Sequence, residues 1–127
     1  MADERRPRVA VVDDDDGVRE SLRFLFETAG YDVVDFESAE AALIDGAIAE
    51  ACCLVLDQHM PRLTGLELVG MLRARGVSLP IAIMTGSPSP ELMREAMRAG
   101  VAQVLEKPLA DDALLTFVER AANRASG

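Results

Sequence analysis

The chain has 127 residues, half of them hydrophobic and only 4% aromatic, with a formal net charge of −9 and a pI near 4.5. This length suits one domain with its own aliphatic core, and the acidic balance argues against gripping nucleic acid through its own surface. No apolar run is long enough to span a bilayer, MADERRPR lacks a secretory h-region, and Cys52 and Cys53 have no zinc-type spacing, so a cytoplasmic protein with reduced, buried thiols is expected.

In chain order, the β-favouring run Val9 to Val12 stops abruptly at four consecutive carboxylates, Asp13 to Asp16. Val18, Leu22, Leu25, Phe26 and Ala29 then follow the stripe of an amphipathic helix, closed by Gly30. Asp32 to Phe36 is a second strand, and Ser38 is the expected N-cap of a short helix through Ile44 that ends at Gly46. Cys52 to Leu56 is a third strand, and Thr64-Gly65-Leu66-Glu67 reads as a capping box opening a helix to about Arg75. Leu79 to Met84 is a fourth strand. Ser89-Pro90 supplies an N-cap and a first-turn proline for a helix closed by Gly100. Val101 to Leu105 is a fifth strand, and a last helix from about Ala110 carries Leu114, Phe117, Val118 and Ala121 on one face.

Five β-α repeats imply an α/β fold, a (βα)5 doubly wound five-stranded parallel sheet joined by right-handed crossovers. The common strand order for such a sheet is 2-1-3-4-5, with ligands bound at the carboxyl ends of strands 1 and 3. The residues following each strand then fall together. Strand 1 is followed by Asp13 and Asp14, strand 3 by Asp57, strand 4 by Thr85, and strand 5 by Glu106, Lys107 and Pro108. Carboxylates held at ~4 Å repel by ~4 kcal/mol at an effective dielectric of ~20, so a cation belongs among them. Oxygen-only ligation favours Mg²⁺ or Mn²⁺. Asp57, between that metal and Lys107, is placed to attack phosphorus and form an acyl phosphate, with Thr85 donating to a phosphoryl oxygen.

VVDDD, LVLDQHMPRLTGLEL, IAIMTG and LEKPL, with their spacings, resemble the response-regulator receiver domains of bacterial two-component signalling across 9 to about 122. The resemblance implies a flavodoxin-like, chemotaxis-regulator-like fold, with Asp57 as phosphoacceptor. Asp13 and Asp14 hold Mg²⁺ directly or through water, the backbone carbonyl of His59 completes the metal shell, Thr85 is the switch hydroxyl, and Lys107 binds phosphate through a turn whose Lys107–Pro108 peptide is often cis. It also implies a histidine kinase or phosphotransfer protein as phosphodonor, and a downstream protein or fused output domain as recipient. The domain then catalyses only its own phosphorylation and dephosphorylation, and a phosphorylation-dependent homodimer stays open. SAEAAL, MTG and EAMRAG lean toward nitrogen-fixation-type regulators. Where the family usually has Tyr or Phe, this chain has Val104, so output is expected to rely on the loop after Thr85 and on Ser87-Pro88-Ser89-Pro90.

Other readings are weighed on the same residues. A haloacid-type phosphatase or dehalogenase needs a second Asp two residues after the nucleophile, where His59 stands, and a flavodoxin-like cofactor binder would set four aspartates against its phosphate. A non-phosphorylated pseudo-receiver is opposed by the complete acidic, hydroxyl and lysine set. Asp15 and Asp16 are expected to be turn and N-cap residues, the His59 ring a loop side chain, and Met60, Met84, Met93 and Met97 core fillers. The whole of 1–127 is expected to be one receiver domain with a core of about 8–122. MADERRPR reads as a natural start, and AANRASG fits either a tail or the beginning of a linker.

Overall fold

The computed structural model describes residues 6–126. The expectations for the two termini fall partly on 1–5 and 127, outside the described residues. The elements are β1 (Arg8–Val12), α1 (Asp16–Thr28), β2 (Asp32–Phe36), α2 (Ala39–Asp45), a 3-10 turn (Ala47–Glu50), β3 (Cys53–Asp57), α3 (Gly65–Ala74), β4 (Ile81–Thr85), α4 (Pro90–Arg98), β5 (Gln103–Glu106) and α5 (Asp111–Ser126). The sheet is parallel throughout, in the order β2-β1-β3-β4-β5. The doubly wound topology expected from the β-α alternation is therefore present.

Each central strand sends alternate side chains to opposite layers, as period-two geometry requires. Ala10, Val12, Leu54, Leu56, Ile81 and Ile83 pack against Ala39 and Ala42 of α2 and Leu68, Val69 and Leu72 of α3. Val9, Val11, Cys53, Val55, Ala82 and Met84 pack against Leu22 and Phe26 of α1 and Leu114, Phe117, Val118 and Ala121 of α5. Burying one such aliphatic side chain contributes about 1.5–3 kcal/mol. β3 and β4 are buried along their whole length, which is why both read as unbroken apolar runs.

The caps fall where the sequence places them. Ser38, Thr64 and Ser89 each accept a backbone N–H in the first turn of the following helix, and Thr64 and Glu67 complete a capping box. After α1, α3 and α4 the chain enters the left-handed region at Gly30, Gly76 and Gly100, and Tyr31, Val77 and Val101 donate back to Phe26, Leu72 and Ala96. The Arg73 guanidinium joins two of these ends by donating to the carbonyls of Val77, Leu79, Ala99 and Gly100.

Several boundaries and burials differ from expectation. β4 begins at Ile81 because Pro80 has no N–H for the ladder and contributes only its carbonyl, to Leu54 N–H. β5 begins at Gln103 because the cap of α4 claims the Val101 amide. The 3-10 turn that buries Ile48 is too short to show a period. Cys52 is half-buried rather than buried, while Cys53 is buried, and both thiols are free. α4 turns Leu92 and Ala96 inward, so Met93 and Met97 point outward, 46% and 78% exposed, and are not core residues. Among the described residues, no helix is long and apolar enough to cross a membrane.

Candidate functional site

Strand register assembles the site. Val12 pairs with Leu56, which brings the next residues, Asp13 and Asp57, side by side at the ends of β1 and β3. Asp57 pairs with Met84 and Thr85 with Glu106, so the β4 hydroxyl and the lysine after β5 arrive on the same rim. The Lys107 amide donates to the Thr85 carbonyl at 2.8 Å, fixing the turn in which the Lys107–Pro108 peptide is cis.

Asp13, Asp14 and Asp57 each offer a carboxylate oxygen, and these oxygens lie within 4.8 Å of one another. Asp13 and Asp57 are buried; Asp14 is exposed. Lys107 Nζ lies 3.2 Å from Asp57 Oδ1 and 3.7 Å from Asp13 Oδ2. It is the sole lysine of the chain, whose other strongly basic side chains are all arginines. Asp13 Oδ1 accepts the Asp15 amide at 2.9 Å. Asp13 Oδ2 is buried, and no hydrogen-bond donor among the described residues reaches it. Burial, with the nearby Asp57 and Asp14 charges, raises the Asp13 pKa above the usual carboxylate range, against the opposing pull of the Asp15 amide and Lys107. For Lys107, burial acts to lower the pKa, and the Asp13 and Asp57 charges outweigh it, so the net shift is upward.

An orphaned buried carboxylate oxygen at a three-carboxylate rim is what a hard divalent cation satisfies, and the all-oxygen donor set suits Mg²⁺ or Mn²⁺. The expected bland roles also hold for the rest of the acidic run. Asp15 caps α1 by accepting the Val18 amide, and Asp16 opens the helix in an ion pair with Arg19.

Thr85 and His59 enter the site in a way the sequence did not suggest. Thr85 is completely buried; its Oγ1 accepts the Ser87 amide at 3.0 Å and lies 3.1 Å from His59 Nε2. The His59 ring is thus a contact of the Thr85 hydroxyl rather than an unengaged loop side chain. No sequence signal marks Arg19 either, yet it donates to the Asp13 carbonyl at 2.6 Å and pairs with Asp35 of β2. A third is Gln58, whose side chain accepts the Leu66 amide and fastens the start of α3 to the end of β3. That junction has no room for a side chain at Gly65, where a Cβ would stand 2.7 Å from the Asp57 carbonyl oxygen.

A family model described as the response regulator receiver domain matches residues 9–119. The chain belongs to that family, the phosphoacceptor domains of two-component signalling, which bind Mg²⁺ at an acidic cluster of this kind. Its relatives include the transcriptional regulatory protein FixJ of Azorhizobium caulinodans, 43% identical over 93% of this chain and 56% of that protein. Full-length FixJ from B. japonicum superposes with a TM-score of 0.82 at 39% identity, over 95% of this chain and 60% of that one. The chemotaxis protein CheY4 of Vibrio cholerae gives 0.84 at 29% identity, over 91% of this chain and 98% of that one. The chain spans about half the length of the FixJ relatives it matches, and their similarity agrees with the nitrogen-fixation-type wording of its motifs.

Proposed function

We propose that Asp57 is the phosphoacceptor of this receiver. In the transfer, an Asp57 carboxylate oxygen attacks the phosphorus of a phosphohistidine, the P–N bond breaks, and the imidazole leaves with the electron pair. Asp13, Asp14 and Asp57, with the His59 backbone carbonyl, are the groups that would hold Mg²⁺, or Mn²⁺ in its place. The ion supplies charge neutralisation at the phosphoryl oxygens. Lys107 contacts one of those oxygens and Thr85 donates its hydroxyl to another, so the chain contributes positioning and charge. The observation that carries this reading is the convergence of three carboxylates, one orphaned in the interior, with Lys107 3.2 Å from Asp57.

The proposed partners follow from what surrounds the site. A groove lined by Val18, Leu22, Leu25, Pro108 and Leu109 includes Lys107 in its wall, and the 73%-exposed Phe24 lines an adjoining groove that shares Ser21, Leu25 and Asp111 with it. This surface suits a histidine kinase or histidine phosphotransfer protein, which has to bring its phosphohistidine to the rim. Residues 1–127 are read as a single cytoplasmic receiver domain that acts on a downstream protein or on a fused output domain, and phosphorylation-dependent pairing of two receivers belongs to the same proposal. The loop from Gly86 to Pro90 carries the response outward. The test is incubation with acetyl phosphate and Mg²⁺, followed by intact mass. One phosphoryl group is expected on the wild type and none on Asp57→Asn; equal labelling of both would remove the assignment.

A further inference from the structure

Thr85 has one hydroxyl hydrogen and is fully buried, so that hydrogen requires an acceptor. Its oxygen already accepts the Ser87 amide at 3.0 Å, and the acceptor at hydrogen-bonding distance is His59 Nε2, 3.1 Å away. With the Ser87 amide already on Oγ1, the Thr85 hydrogen is left to point at the ring nitrogen, in the tautomer that leaves Nε2 free to accept. Val104, paired with Ile83 in the sheet, has neither a ring nor a polar atom to offer that hydroxyl from β5.

We infer that the His59 imidazole is the positioning group that holds the Thr85 hydroxyl in the unphosphorylated domain and releases it when the phosphoryl group forms. The inference rests on the Asp57 reading above. The Thr85 hydrogen cannot serve both the ring and a phosphoryl oxygen. The exchange runs toward the phosphoryl group because a bond to an ionised acceptor is roughly twice as strong as a neutral one. Release is inexpensive for His59, whose side chain is exposed and rehydrates on leaving. The state of the site is thereby passed to the loop between β3 and α3 by a ring 26 residues from the hydroxyl it holds.

The chain contains a single histidine, so the ring nitrogens give one unambiguous pair of ¹⁵N resonances. Beryllofluoride with Mg²⁺ is the probe. On its addition the Nε2 resonance is expected to move to the position of a water-exposed imidazole, together with the amide signals around Asp57. Amide signals that move while Nε2 stays fixed would overturn the role of His59 and leave Asp57 in place. No response anywhere would remove both. Variants give a second readout. His59→Phe keeps a ring but no acceptor and is expected to bind beryllofluoride about three- to tenfold more tightly, the scale of one neutral hydrogen bond no longer broken. His59→Gln restores an acceptor and is expected to return the affinity to that of the wild type. Equal affinities for the Phe and Gln variants would refute the inference.

Discussion

Replacing Asp13 by Asn separates a carboxylate kept for metal binding from one that supports the fold. Asp57 within 4.8 Å repels Asp13 by about 3.5 kcal/mol at an effective dielectric of ~20, while Lys107 at 3.7 Å attracts it by about 4.5 kcal/mol. These nearly cancel, and the exposed Asp14 adds less than ~1 kcal/mol of screened repulsion. What remains is the cost of burying an ion, several kcal/mol, offset by about 1.5–3 kcal/mol from the Asp15 amide. Asn retains an oxygen for that amide and carries no charge, and Lys107 retains Asp57. In EDTA at neutral pH, Asp13→Asn is therefore expected to be more stable by about 1–3 kcal/mol, a rise in Tm of roughly 3–10 °C.

The same variant should lose most of its response to Mg²⁺. At ten times its Kd a ligand stabilises the folded state by about 1.4 kcal/mol, an increment that the wild type shows and the variant lacks. The pH dependence has a definite sign. The Asp13 pKa is raised in the folded protein, so its stabilising protonation is complete below the ordinary carboxylate range and is lost as pH rises through the folded value. The advantage of Asp13→Asn should therefore shrink on acidification. Thermal melts by circular dichroism, with EDTA and with Mg²⁺, measure all of this. A lower Tm for the variant in EDTA would show that the Lys107–Asp13 pair stabilises the fold, and would refute the reasoning.

Gly65→Ala forces a Cβ to 2.7 Å from the Asp57 carbonyl and 2.9 Å from Leu56 Cδ1, and is expected to cost about 1–3 kcal/mol in urea denaturation. Gly70→Ala, in the middle of the same helix with open space around it, should instead gain about 0.5–1 kcal/mol. Lys107→Met should lower phosphoryl uptake from acetyl phosphate at least tenfold while shifting Tm by a few degrees at neutral pH. Because the Lys107 pKa is raised on folding, its contribution is full below about 10.4 and lost as pH climbs through the folded value. The wild type should thus lose stability more steeply than Lys107→Met in that alkaline window.

Much of this architecture is legible in the sequence because each signal is local. Ser38, Thr64 and Ser89 announce helices, Gly30, Gly76 and Gly100 end them, and buried strands appear as apolar runs. The rim residues are legible for a similar reason: in a doubly wound sheet the residues at or just past the carboxyl end of each strand face the ligand side, so Asp13, Asp57, Thr85 and Lys107 can be collected without knowing a single distance. Features set by two distant segments are not legible. His59 meets Thr85 across 26 residues, and nothing in the spacing of either indicates the meeting. The outward turn of Met93 and Met97 depends on how α4 is rotated against the sheet, which a run of mixed Leu, Met and Ala does not fix.

The solitary amine at position 107 has a practical consequence. Any amine-directed reagent, whether a dye ester, a biotin tag or a carboxymethyl-dextran chip, finds one side-chain target in this sequence, and that target borders Asp57. Coupling there would replace the ammonium with an amide and leave the neighbouring carboxylates without their counter-charge. Immobilisation through Cys52 or through an added terminal tag keeps the rim intact. Conversely, reductive methylation with ¹³C-formaldehyde would install a side-chain reporter at this one position.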